Sequence, residues 1–307
     1  MTSTPTTALS PCAKDREVTR ARLRFLIKAS RPGFYSTAVW FYLLTVAQQP
    51  VWFSPRFYLG ALYCTFPFGL LLYGWNDVGD RVTDRHNPRK DSYLFGARGS
   101  DTDLAQLPRQ IAWAQAPFLA LFALLIGPLP TLLWFAALVG VNYLYNNPPF
   151  RFKSRPGLEL LNQAGYLLVF VLGTRLNQAR PLPWQTYVFA ALFAMHSHLF
   201  GQIMDVAPDR AAGRRTTAAV IGVVPAKVLL ISILAFEAAF VFHYFHSVEV
   251  TAFLALAALY FLADTAVLFR ARPYPPRLLE IFALGLNAAT LGSMGWIWAT
   301  GCLSLVR

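Results

Sequence analysis

The sequence is poor in charge. Only 14% of its 307 residues are Asp, Glu, Lys or Arg, against about 25% in an average soluble protein. With 56% hydrophobic and 15% aromatic residues and a mean hydropathy of +0.43, that scarcity excludes a soluble globular domain. Cysteine is scarcer still. Cys12, Cys64 and Cys302 stand far apart, with no CxxC pair and no histidine at metal spacing, which excludes a disulfide framework and a zinc site. Residues 1–20 contain no apolar stretch followed by a small-residue cleavage site, so no secretory signal is expected and the first hydrophobic segment is retained. A net charge of +12 would suit nucleic acid, but no basic stripe alternates with exposed aromatic platforms, and no nucleic-acid partner is expected.

What is abundant is apolar sequence in runs. Nine of them, at 32–47, 57–75, 110–126, 130–146, 159–174, 184–205, 223–244, 249–269 and 278–303, are bounded by charges, proline or glycine. Their lengths suit the residues needed to cross a bilayer core of about 30 Å as helix. The expected fold is all-α: a polytopic membrane protein with about nine transmembrane helices. Lysine and arginine are retained on the cytoplasmic side of short loops. With a cytoplasmic N-terminus, 23 of the 27 Lys and Arg fall on that side, leaving Arg56, Arg175, Arg180 and Arg307 outside. Residues 1–31 then form a cytoplasmic tail ending in a basic helix on the membrane surface, with Val18, Leu23, Phe25, Leu26 and Ile27 among its charges. Residues 32–307 form one transmembrane domain.

The few carboxylates are clustered. Six of fifteen lie between positions 77 and 103, and Asp205 and Asp209 follow the sixth apolar run. Asn76, Asp80 and Asp84 recur at i, i+4, i+8, along one face of a helix continuing from the second run, with Asp77 beside them. Asp205 and Asp209 repeat the i, i+4 spacing at the same membrane face. Stacked carboxylates repel unless a cation lies between them, and hard oxygen ligands of this kind suit Mg2+ that also holds substrate phosphates. Arg31, Lys153, Arg155, Arg214 and Arg215 face the same compartment, as a diphosphate would require.

At these residues the sequence resembles the UbiA superfamily of intramembrane prenyltransferases. The pattern NDxxDxxxD stands as Asn76, Asp77, Asp80 and Asp84, followed by Asn87-Pro88-Arg89-Lys90. The second DxxxD stands as Asp205 and Asp209, followed by Gly213-Arg214-Arg215-Thr216-Thr217. The segment from Tyr145 through Pro148-Pro149, Arg151 and Lys153 is similar to the stretch found in members that act on lipophilic acceptors, and Ser30-Arg31-Pro32 opens the first run. The resemblance covers roughly residues 28–303. It implies a helical bundle around a central cavity with a cytoplasmic cap. It further implies Mg2+ held by Asn76, Asp80, Asp84, Asp205 and Asp209, and a prenyl diphosphate contacted by Arg31, Asp77, Arg89, Lys90, Tyr145, Lys153, Arg151 and Arg214. The implied activity is transfer of the prenyl group, through an allylic carbocation, to a lipophilic acceptor of the carotenoid, quinone or chlorophyllide kind. An intramembrane terpene cyclase would carry the same aspartates, and a transporter of anionic lipid or ions is the non-enzymatic alternative.

Other polar residues lie within the runs. His198, Gln202, Asp205 and Asp209 share a helix face, which makes His198 a candidate to accept the acceptor's proton. Asn142 and Asn146 are expected to make interhelical hydrogen bonds or to line the cavity. Glu237 and Asp264 are intramembrane carboxylates, Asp264 with Arg270 or Arg272 as its expected partner.

Overall fold

The computed structural model describes residues 11–305 except 82, 83, 85, 86 and 88, and no side chain before residue 16. Residues 1–10, Arg85, Pro88 and Arg307, which entered the charge and motif reading, lie outside the described residues. Helices make up the described chain, with a single isolated bridge between Ser92 and Gly96.

A basic helix α1 (Pro11–Ala29) precedes the short α2 (Tyr35–Leu44). The rod α3 (Pro55–Gly79) follows, interrupted by a π-turn over Leu70–Gly74. A long loop leads to α4 (Asp101–Ile126), started by a capping box in which Ser100 and Asp103 satisfy each other's backbone N–H groups. Gly127, at φ 95°, makes the tight connection to α5 (Pro128–Asn146), a left-handed conformation that glycine adopts without a Cβ clash. Then come one turn at Leu158–Leu161, a 3-10 stretch at Asn162–Leu167 and α6 (Leu168–Asn177). The chain finishes with α7 (Trp184–Ala211), α8 (Thr217–Ile221), α9 (Val223–Phe245), α10 (Val248–Ala266) and α11 (Pro276–Thr300).

Each of the nine apolar runs falls on helix, but among the described residues six helices are long and apolar enough to cross a membrane: α3, α4, α5, α9, α10 and α11. Of the other three runs, the first forms only the ten residues of α2, the fifth is broken ahead of α6, and the sixth, α7, is long but carries His196, His198, Gln202, Asp205 and Asp209. Leu124, Leu133, Leu256 and Leu284 on the outer helices are exposed. Apolar surface of that extent is stable against lipid and not against water. The protein is an integral, multi-pass membrane protein.

Inside, aromatic rings supply much of the packing. Tyr63 of α3 lies edge-on to Phe122 of α4 and to Trp134 and Phe135 of α5, and the Trp134 indole N–H donates to Leu168 O at 2.7 Å, so its polar end is satisfied in the core. The break before α6 lets the chain approach α5 closely: a Cβ on Gly165 would stand 2.4 Å from Val141 Cγ1.

One buried ion pair is purely architectural. Lys227 of α9 and Asp264 of α10 are both fully buried and 2.6 Å apart. The Asp264 carboxylate also accepts from Tyr274 Oη at 2.6 Å and Phe269 N at 3.2 Å, while Lys227 donates to Arg270 O at 2.7 Å. Asp264 is therefore paired with Lys227 and Tyr274, not with the Arg270 or Arg272 side chain, because the loop after α10 folds back over it. Removing one member of a hydrogen-bonded buried pair strands the other's charge. Asp264→Ala is expected to cost ~3–5 kcal/mol, measured as a fall in thermal unfolding temperature in detergent, and adding Lys227→Met to it should recover part of the loss.

Candidate active site

The face bearing Asn76, Asp80 and Asp84 does not run on as one helix. Helix α3 stops at Gly79, and Asp80 leaves helical geometry at φ −103°. The bonds Asp80 N to Asn76 O (3.0 Å) and Asp84 N to Asp80 O (2.8 Å) still bridge the break, so the three side chains stay on one side. Tyr73, in the π-turn just before, and Asn76 both line the cavity below.

Asp80 is at the centre. It is 3% exposed, lies 2.7 Å from Lys153 Nζ and takes both oxygens to Arg214 Nη2 at 2.7 and 2.8 Å. Lys153 also donates to Asn146 Oδ1 at 3.0 Å and Asn76 Oδ1 at 3.3 Å. Arg214 Nη1 reaches Asp209 Oδ1 at 3.5 Å, and Thr216 Oγ1 donates to Asp209 Oδ2 at 3.2 Å. Asp84 is 2.8 Å from Lys90, which is 2.7 Å from Asp77. Arg31 joins Asp77 at 3.0 Å from a left-handed backbone (φ 51°) that is strained for a residue with a Cβ. Asp205 pairs with Arg89 and accepts from Asn87 Nδ2 at 3.1 Å.

Burial alone would raise the Asp80 carboxyl, but Arg214 and Lys153 hold it well below the usual carboxylate range. Burial draws the Lys153 ammonium below its ordinary value despite Asp80. Asp84 goes the other way. Burial, with the charges of Asp77 and Asp80 behind it, pushes its carboxyl up to about 6 against the opposing pull of Lys90.

These charges close one end of a cavity of about 310 Å³. Asn76, Asp80, Asp84, Asp205, Asp209, Arg31, Arg89, Lys90, Lys153 and Arg214 line it. Asp77 stands behind the wall as counter-ion to Arg31 and Lys90. Arg151, expected at the diphosphate, is exposed and is not brought to the cavity. Deeper, the lining becomes uncharged: Phe34, Phe41, Phe68, Leu72, Leu138, Phe193 and Leu286, with Tyr73, Tyr145, Tyr166 and His198 between them. Arg31 lies 4.7 Å from the Tyr73 ring centre, and Tyr73 and Tyr166 share a hydrogen bond of 2.8 Å. Tyr145 Oη is 3.4 Å from His198 Nε2. Asn142 lines the cavity, but its amide donates within its own helix, to Leu138 O, as does that of Asn146 to Asn142 O.

Among the described residues no three His, Cys, Asp or Glu are grouped as a ready metal cage; each carboxylate is held by a cation. The donor chemistry nevertheless fits Mg2+. Four carboxylates and the Asn76 carbonyl, all hard oxygens, line one cavity, too few and too spread to strip the ion of water but suited to hold it jointly with phosphate oxygens. Asn87, Thr216 and Tyr73 were not singled out by spacing. Tyr73 is legible in hindsight, three residues before Asn76 on the same face.

Fold and site together define an integral membrane protein with a charge-lined, aromatic-walled cavity at one end of its helices. A model of the UbiA prenyltransferase family matches residues 34–284, and the chain belongs to that family and is a transferase. It is 34% identical over 212 residues to a lycopene elongase/hydratase of Haloarcula japonica, covering 65% of this chain and 68% of that protein. It is 32% identical over 205 residues to the protein of the same description in Haloferax volcanii, 66% of each. Among solved structures, a UbiA homolog from Archaeoglobus fulgidus bound to DMAPP and Mg2+ superposes with a TM-score of 0.64 at 19% identity, over 89% of this chain and 99% of that one. The same homolog bound to GPP and Mg2+ gives 0.62 over 90% and 99%. The likeness shows a common fold.

A carboxyl that keeps its proton up to about pH 6 must lose it before it binds a cation. Burial pushes the Asp209 carboxyl up to about 6 as well, so divalent-cation affinity is expected to be highest above about pH 7 and, with two carboxyls to deprotonate, to fall by up to about a hundredfold per pH unit below 6, checked by Mn2+ titration followed by electron paramagnetic resonance.

Proposed function

We propose that this chain transfers a prenyl group from a prenyl diphosphate to an uncharged, lipophilic acceptor of the carotenoid class, with Mg2+ as cofactor. The observation that carries this reading is the division of one cavity into a charged end and an uncharged, aromatic remainder. Relatives described as lycopene elongase/hydratases support the carotenoid class over quinones and chlorophyllides. The arginines and lysines that line the cavity, Arg31, Arg89, Lys90, Lys153 and Arg214, are in this reading all taken up by aspartates and diphosphate, so an acceptor carboxylate would have no counter-ion of its own.

In this reading Asn76, Asp80, Asp84, Asp205 and Asp209 hold the metal. Mg2+, when bound, supplies positive charge for the leaving diphosphate. Arg31, Arg89, Lys90, Lys153 and Arg214 release their aspartates in favour of the diphosphate oxygens. Those contacts strengthen as the allylic C–O bond lengthens and charge collects on the leaving group, so they stabilise the transition state more than the bound substrate. The allylic cation is left against Tyr73, Tyr166 and the phenylalanine walls, where π faces attract it and water is excluded. An acceptor double bond attacks, and the proton released goes to His198, hydrogen-bonded to Tyr145. The nine apolar runs all cross or dip into the membrane, with the N-terminus and both aspartate motifs on the cytoplasmic side. Asp77 acts from behind the wall, by holding Arg31 and Lys90.

The test is diphosphate release by the purified protein in detergent with Mg2+ and DMAPP, with and without lycopene. Release that requires lycopene, with Asp80→Ala and Asp205→Ala each lowering the rate by about a hundredfold or more, is the expected outcome. A prenyl-derived hydrocarbon formed without any acceptor would instead establish internal cyclisation. Variants that match the wild type would refute the assignment of the charged end.

A further inference from the structure

Glu159 opens the single helical turn Leu158–Leu161 and is completely buried. Its Oε1 accepts from Gln202 Nε2 at 3.2 Å, from Thr217 N at 2.7 Å and from Thr217 Oγ1. Its Oε2 is buried without a hydrogen-bond partner. Gln202 completes the knot by accepting from Ala218 N at 3.1 Å, and Thr217 Oγ1 also receives Gly157 N at 2.8 Å. A carboxylate removed from water costs several kcal/mol unless its donors are kept in place, so this junction tolerates little displacement of the three segments it joins.

Each of those segments carries part of the charged end. The turn at Glu159 follows the loop that delivers Lys153. Gln202 lies three and seven residues before Asp205 and Asp209, on the same face of α7. Thr217 follows directly on Thr216, which donates to Asp209, and on the loop of Arg214, which grips Asp80. Glu159 itself does not line the cavity.

We infer that Glu159 is a positioning residue: through Gln202 and Thr217 it sets the second aspartate pair and Arg214 in register with Asp80 and Lys153. The assignment rests on the proposed metal-and-diphosphate reading of that end. Loss of an outer partner of this sort lowers metal affinity by about 10–100-fold. Glu159→Gln keeps an acceptor oxygen for the three donors and puts its amide where no partner is lost; Glu159→Ala removes the acceptor outright; Thr217→Val removes one donor.

The experiment is Mn2+ titration of the full chain in detergent with inorganic pyrophosphate, read by electron paramagnetic resonance, alongside thermal unfolding of each protein. Glu159→Ala is expected to weaken Mn2+ by about tenfold or more, Thr217→Val by less, and Glu159→Gln to recover most of the loss. A purely structural residue would lower the unfolding temperature without moving Mn2+ affinity in the folded fraction, and that result for Glu159→Ala, or for Thr217→Val where the alanine variant does not fold, overturns the inference. Wild-type protein that binds no Mn2+ with pyrophosphate overturns the diphosphate reading itself, and this assignment with it.

Discussion

The buried carboxylate of Asp80, clasped by Lys153 and Arg214, is the interaction on which the organisation of this protein depends. Three loops that are distant in sequence meet there, one at the end of α3, one after α5 and one after α7. A lone carboxylate at 3% exposure would be neutralised or expelled. Two cations with direct contacts make its ionised form the stable one, and their own burial is offset by the same contacts. The remaining charges repeat the arrangement: Asp77 with Arg31 and Lys90, Asp84 with Lys90, Asp205 with Arg89, Asp209 with Arg214. Five carboxylates and five cations therefore balance at one end of the helical bundle.

The contrast with Lys227 and Asp264 shows why the two sets of ion pairs differ in purpose. Around Asp264 both oxygens have partners, and Lys227 has a backbone carbonyl as well as its counter-ion. A polar network satisfied in this way rigidifies its surroundings and has nothing left to bind. At the charged end, Asp77 Oδ2 and Arg31 Nε are buried without hydrogen-bond partners, and Asp84 is crowded by like charges. Capacity left over in a buried site is what a ligand can use.

Much of this was legible in the sequence because it follows from local rules. Length and apolarity of the runs place the helices, and i, i+4 spacing places Asp80 with Asp84 and Asp205 with Asp209. What local rules do not contain is where a chain folds back. Asp264 meets Lys227, 37 residues earlier in number, because α9 and α10 pack side by side and the loop after α10 closes over them. Arg151 sits two residues from Lys153 yet is exposed, since its left-handed backbone (φ 41°) turns the chain between them. At helical spacing from Glu159 local rules offer Arg155, four residues before it, and Gln163, four after, but the Arg155 guanidinium binds Pro149 O and the Gln163 amide binds Glu159's backbone carbonyl and not its carboxylate. Its partners at 202 and 217 become neighbours only when the bundle closes.

The same separation of charged end from uncharged depth limits how the protein can discriminate among acceptors. A site that hydrogen-bonds a substrate group rejects analogues lacking it by large factors, because its own buried donors would be left unpaired. Here the amides of Asn142, Gln163 and Gln202, which line the cavity, already have partners within the protein, so these three do not demand a polar acceptor. Along the apolar stretches of the wall discrimination comes from shape, where one methylene in an apolar pocket is worth about 1–3 kcal/mol. The residues that set that shape are rigid: Phe41 and Phe68 are almost wholly buried, and Phe193 lies against Phe41 at 5.8 Å in an edge-on contact. Under the proposed function, a hydrocarbon acceptor would meet the aromatic walls and a diphosphate the ion pairs, so the two would be recognised by independent means. On that reading, changes in the walls would alter the acceptor without disturbing the charged end.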